Sequence, residues 1–101
     1  MSISSHYSEN EKTLTISIRG RFDFGQYNDF RSAYEQLNNP STNYVLNFSS
    51  TEYIDSSALG MLLVMREYAG GDSAKITIKN CNPQIKKILT ISNFEKMFAF
   101  N

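Results

Sequence analysis

Tyr53-Ile54-Asp55-Ser56-Ser57-Ala58-Leu59-Gly60 is the stretch on which the reading of this chain turns. An apolar run, Tyr44-Val45-Leu46-Asn47-Phe48, comes before it, and a second, Met61-Leu62-Leu63-Val64-Met65, comes after. The first has the length of a strand. The second sits inside a helix over about Ser57–Ala69, apolar nearly all round, whose first charges are Arg66 and Glu67 and whose stop is Gly70-Gly71. A helix that apolar is either central to the core or shows part of its surface to a partner. One acid and two hydroxyls therefore stand where a strand hands over to a helix. The first amides of a helix lack partners and its N-terminal end is positive, so Asp55, Ser56 or Ser57 can serve as an N-cap worth ~1 kcal/mol. One cap needs one residue, and three adjacent candidates are present.

Working outward, residues 13–18 alternate, with Leu14, Ile16 and Ile18 against Thr13, Thr15 and Ser17, which fits a strand with one wet face. Residues 3–8 alternate more weakly, and the polar turn Glu9-Asn10-Glu11-Lys12 joins the two as an antiparallel hairpin. Gly20-Arg21-Phe22-Asp23-Phe24-Gly25 breaks the pattern. Tyr27, Phe30, Ala33, Tyr34 and Leu37 then make one helical stripe, read as core, which Asn38-Asn39-Pro40-Ser41 ends. Ile76 and Ile78 alternate with Lys75, Thr77 and Lys79 as another one-sided strand. Asn82-Pro83 marks an N-cap with proline at the first helical position, ahead of a helix carrying Ile85, Ile88 and Leu89. Phe94, Met97, Phe98 and Phe100 form a docked tail or a short final strand.

The order is thus strand, strand, helix, strand, helix, strand, helix, tail. Alternation after the hairpin implies parallel strands joined by crossovers. The expected fold class is α/β: an N-terminal antiparallel hairpin plus parallel strands in one mixed sheet. The strands keep a polar face, so the helices are expected mainly on one side. Residues 1–101 fit a single domain.

Composition narrows the function. Ten basic residues balance ten acidic ones, so no global field draws in nucleic acid or anionic lipid. One cysteine, Cys81, excludes an internal disulfide and a multi-cysteine metal site. The N-terminus lacks the pattern of a signal peptide, and no apolar run reaches the ~20 residues that span a bilayer. The expectation is a reduced, cytoplasmic protein with no cofactor or metal of its own and no membrane insertion.

The functional reading of the Asp-Ser-Ser loop is a serine phosphoacceptor. The loop lies at the carboxyl end of a parallel strand, where open α/β sheets place their sites, and a helix N-terminus accommodates a phosphate. The modification adds roughly −1.5 to −2 charge beside Asp55, on a surface of small residues: Ser57, Ala58 and Gly60. A closely fitting partner would meet bulk and repulsion together, which gives an on/off switch without a large conformational change.

The stretch "YIDSSALGMLLVMREYA" resembles the signature of the STAS-domain anti-anti-sigma factors, the bacterial anti-sigma factor antagonists with the SpoIIAA-like fold. Gly20-Arg21-Phe22-Asp23 is similar to that family's Gly-Glu-Ile/Leu-Asp, and "NCNPQIKKILTISNF" to its Pro-containing helix followed by Ser-Gly-Leu/Phe. By position, the resemblance makes Ser56 the phosphorylated serine and Asp23, Asp55, Ser57, Ala58 and Gly60 its neighbours on the partner-binding face. It implies a non-enzymatic partner switch in signal transduction and transcription regulation. The unphosphorylated protein binds an anti-sigma factor that is also a serine kinase. That kinase binds ATP and phosphorylates Ser56, the complex dissociates, and a metal-dependent PP2C-type serine phosphatase resets the system. The chain departs from the pattern in carrying Ala58 where Gly is common, Arg21 in place of an acid and Asn93 in place of Gly, and it ends at Asn101 where many relatives add a helix.

Rival readings have less behind them. A Ser56–His6 hydrolase needs the two to meet and a third group to orient the imidazole, and Gly-x-Ser-x-Gly is absent. Cys81 reads as a small packing residue and Lys86-Lys87 as a solvated face. Asp23 reads equally as a turn or cap residue. A response-regulator receiver with Asp55 as phosphoaspartate needs an acidic pair after the first parallel strand and a late lysine. In a different class, a STAS subunit that only docks on a larger complex such as a transporter would leave Ser56 a mere cap.

Overall fold

The computed structural model describes residues 2–36 and 42–101. Strands β1 (Ile3–Ser8) and β2 (Thr13–Ile18) form the antiparallel hairpin, with Lys12 at φ 52° in its turn. β3 (Gly20–Phe22) follows, then a single 3₁₀ turn (Phe24–Gln26) that leads into helix α1 (Tyr27–Glu35). β4 (Asn43–Asn47), β5 (Thr51–Ile54) and α2 (Ser56–Tyr68) come next, then β6 (Ile76–Lys79), α3 (Pro83–Ile91) and β7 (Ala99–Phe100). Five strands build the main sheet in the order β1-β2-β4-β6-β7, mixed as expected, with every pairing after the hairpin parallel. Of the two fates open to the tail, it takes the strand. Leu37 and the Asn38–Ser41 stop lie outside the described residues.

The alternation works as the residues dictate. Leu14, Ile16, Ile18, Tyr44, Leu46, Ile76 and Ile78 turn to one face and are buried, whereas Thr15, Ser17, Val45, Asn47, Thr77 and Lys79 line the other. All three helices contribute to the first face: Phe30, Ala33 and Tyr34 from α1; Ala58, Met61, Leu62 and Met65 from α2; Ile85 and Leu89 from α3. Each large side chain removed from water there stabilises the fold by about 1.5–3 kcal/mol before entropy is counted. Among the described residues no helix covers the opposite face, which is mostly polar.

A second ladder, β3 paired in parallel with β5, extends the architecture beyond the mixed sheet. The chain leaves β2 through Gly20, whose φ of 76° belongs to the left-handed region, and the Gly20 amide donates to the Ser50 carbonyl at 2.9 Å. Thr51 is buried and its hydroxyl donates to the Ile18 carbonyl at 2.6 Å. The neighbours β2 and β4 therefore continue, past a shared kink, into the neighbours β3 and β5. What fixes the segment that breaks the periodicity is Phe22. It is fully buried, edge-on to Phe30 at 5.0 Å and tilted against Phe48 at 6.1 Å.

The punctuation agrees with the residue chemistry. The Asn82 side chain accepts from the Ile85 amide at 2.9 Å with Pro83 just inside the helix. Asn93 takes the left-handed conformation, φ 63°, that its glycine-like place demands.

Candidate functional site

The β3–β5 ladder brings the candidate residues together. Arg21 stands opposite Tyr53 and Phe22 opposite Ile54, and the Asp55 amide donates to the Phe22 carbonyl at 3.4 Å. The loops that begin at Asp23 and at Asp55 thus leave adjacent strands at the same, carboxyl, end. Phe22 and Ile54 point into the core, so Arg21 and Tyr53 occupy the outer side, and the Arg21 guanidinium lies over the Tyr53 ring, 4.5 Å from its centroid.

Asp55 is the N-cap of α2. Its Oδ1 accepts from the Ala58 amide at 3.0 Å and from the Ser57 hydroxyl at 2.6 Å. The Ser57 hydroxyl, the Ala58 and Ser57 amides and the Arg21 charge hold the Asp55 carboxyl below the usual aspartate range. Asp55 caps and Ser57 braces the cap. Ser56, first residue of the helix, is exposed, and its hydroxyl has no partner among the described residues. The three candidates for one capping role resolve into a cap, a brace and a hydroxyl that the fold does not use.

Asp23 also caps. Its Oδ1 accepts from the Gly25 amide at 2.8 Å, the Gln26 side chain accepts from the Asp23 amide at 2.8 Å, and Arg21 Nε donates to Oδ2 at 3.3 Å. This is a reciprocal box on the 3₁₀ turn. Phe24, next in line, is 65% exposed and stacks on Tyr27 at 5.2 Å.

Ala58 is a correction. It was expected on the partner-facing surface, but it is fully buried, because the third position of α2 turns toward the sheet once Asp55 sets the helix start. The outward stripe of α2 runs instead through Ser56, Gly60, Leu63, Val64 and Glu67, spaced four, seven, eight and eleven residues along the helix. A Cβ on Gly60 would meet nothing within 4 Å, so the fold itself does not require glycine there. Leu63 and Val64 are 39% and 52% exposed. The residue-by-residue reading missed them; projecting α2 at 100° per residue places them opposite Met61, Leu62 and Met65.

His6 does not reach this site. It pairs with Thr15 and so lies on the open face of the sheet, across from the helices. Cys81 is partly buried, and burial pushes its thiol up, away from the reactive thiolate. Among the described residues no three His, Cys, Asp or Glu side chains gather as a metal site, and no helix is long and apolar enough to cross a membrane.

Comparison with known proteins gives a consistent result. The family described as "Mlab, STAS domain" matches residues 5–99. The chain is 50% identical, over 101 residues and the full length of both, to a STAS-domain containing protein of Pseudomonas aeruginosa (strain UCBPP-PA14). Among solved structures it is similar to the anti-sigma factor antagonist SpoIIAA in its unphosphorylated form, with TM-score 0.71 and 17% identity over 98% of this chain and 86% of that one. It is also similar to a sulfate transporter family protein from Wolinella succinogenes, with TM-score 0.72 and 15% identity over 94% and 80% of the two chains. At such identities these two structures bear on the fold alone.

Proposed function

This chain belongs to the STAS-domain family, and we propose that within it the protein is a cytoplasmic anti-sigma factor antagonist working as a phosphorylation-controlled partner switch. Residues 1–101 act as one non-enzymatic domain. When Ser56 is unmodified, the surface formed by Asp23, Asp55, Ser56, Ser57 and Gly60, widened by Leu63 and Val64, binds an anti-sigma factor that is also a serine kinase. The kinase, which holds the ATP, phosphorylates Ser56 and the complex separates. A PP2C-type serine phosphatase restores the binding form.

The observation that carries the reading is the exposed Ser56 hydroxyl, left without a structural duty by the Asp55 cap and the Ser57 brace. Its side chain can be modified without breaking a native bond. The apolar residues on the same stripe, Leu63 and Val64, suit a surface that is covered in one state and released in the other. The test is to isolate partners from the native cytoplasm, add ATP and map phosphate by mass spectrometry. Phosphate on Ser56 with loss of the partner is expected; phosphate elsewhere with Ser56 unmodified refutes the switch.

The STAS fold, shared with a sulfate transporter family protein, leaves a second reading, a docking subunit of a larger complex in which Ser56 has no regulatory task. Ser56→Asp separates the two: it loses the partner under the switch and keeps it under simple docking.

A further inference from the structure

We propose that Arg21 is the counter-ion of the phosphate on Ser56, its guanidinium leaving Asp23 to donate to the phosphoryl oxygens. This rests on the Ser56 phosphorylation proposed above and concerns how that phosphate is held. Arg21 and Tyr53 are register partners on β3 and β5, and the ring beneath the guanidinium keeps the cation at the rim of the ladder. Strand alternation puts Asp23 and Asp55, two residues beyond each partner, at the same outer rim, and Ser56 is the next residue after Asp55.

Arg21 is bonded to Asp23 through Nε alone, at 3.3 Å. Its Nη groups have no hydrogen-bond partner among the described residues, which leaves the forked donors that suit phosphate best. The Arg21 charge is already felt at Asp55, where it helps to hold the carboxyl low. With side chains 65% and 27% exposed, the Arg21–Asp23 pair is of the kind worth about 0–1 kcal/mol. A dianion close by is a stronger partner for the same cation, so the exchange costs little.

Such a counter-ion favours the doubly charged phosphate, and the second phosphate proton is then lost at lower pH. The experiment uses the full chain with phosphoserine placed at position 56 during translation, titrated by phosphorus NMR beside the same protein carrying Arg21→Gln, Arg21→Lys or Arg21→Glu. Arg21→Gln should raise the phosphate pKa by roughly half a unit. Arg21→Lys should fall between, Arg21→Glu should raise it further, and about 1 M salt should close the gaps. Coincident curves for the unaltered chain and Arg21→Gln, with amide spectra showing both folded, overturn the assignment; if Arg21→Gln disturbs the fold, Arg21→Glu against Arg21→Lys decides it. No kinase is needed, so the titration is read independently of whether cells phosphorylate Ser56, which the mass-spectrometric test decides.

Discussion

Alanine at each of positions 55, 56 and 57 in turn separates the duties that the structure assigns to three neighbouring polar side chains. Asp55→Ala removes the N-cap and leaves the Ala58 amide unpaired, a loss of about 1–1.5 kcal/mol. Ser57→Ala removes one hydrogen bond to a carboxylate, worth about 1–1.5 kcal/mol where partly exposed, and regains about 0.5 kcal/mol because alanine is the better helix former. Its net cost is about 0.5–1 kcal/mol. Ser56→Ala removes no bond, so its effect stays within about 0.5 kcal/mol of zero. Urea unfolding followed by far-UV circular dichroism reads all three. With a slope of about 1–2 kcal/mol per M, Asp55→Ala should lower the midpoint by roughly 0.5–1.5 M while Ser56→Ala leaves it in place. The reasoning is refuted if Ser56→Ala costs as much as Asp55→Ala, for then Ser56 shares in holding the helix start and its modification would break the fold it is meant to spare.

The Asp55 carboxyl also gives the cap a pH signature. Its folded-state pKa is depressed, so its contribution is complete above the ordinary aspartate value of about 3.9 and fades as pH falls through the lower folded value. Asn caps comparably without titrating, so the stability gap between the natural chain and Asp55→Asn should shrink between neutral pH and roughly pH 2.5; a constant gap contradicts the depressed pKa. Gly60→Ala fills open space on an exposed helix face, so it should stabilise by about 0.5–1 kcal/mol in the same urea assay. Under the switch it should also weaken capture of the partner, and unchanged capture would show that no close approach occurs there. Phe22→Ala should cost about 3–5 kcal/mol, enough to unfold much of the population at 37 °C, because it empties the contact joining β3, α1 and the Phe48 end of β4. A loss below about 1 kcal/mol would mean that the β3–β5 ladder is held by something else.

The mixed sheet was legible because each strand's alternation reports one buried face, and the helices because their stripes and stops are chemically distinct. Asn82-Pro83 and Asn93 carry their backbone geometry in their identity. The β3–β5 ladder was not legible. Three residues beside a glycine are too few for a period to show, and the pairing of Arg21 with Tyr53 spans a separation that no local pattern encodes. The site was half legible. Asp55, Ser56 and Ser57 could be singled out as polar residues at a helix start, but which of them caps depends on where the helix begins. Setting that start one residue earlier than the periodicity suggests makes Asp55 the cap and rotates Ala58 into the core. Asp23 takes the turn-and-cap reading by its bonds, at the end of the strand beside the one that leads to Asp55.

Under the proposed switch, the division of work around Asp55 explains why one phosphate is tolerated by the free protein and not by a closed complex. Asp55 is a carboxylate at neutral pH like any aspartate, and its bonds to Ser57 and Ala58 keep it one to lower pH than usual. If a phosphate on the adjacent residue lies about 6 Å from that carboxylate, two unit charges repel by about 0.7 kcal/mol in water and about 2.8 kcal/mol at an effective dielectric of 20. On the open surface that repulsion is a small charge against the stability of a whole domain. When a partner seats over Gly60, Leu63 and Val64 it excludes the water that screened the pair, and the same two groups, one of them now carrying nearly two charges, repel several times more strongly. Most of the energy that breaks the complex therefore arises only when the complex forms. No change of backbone is needed in the switch itself, only a hydroxyl outside the fold's own bonding, placed beside a carboxylate that is charged at neutral pH.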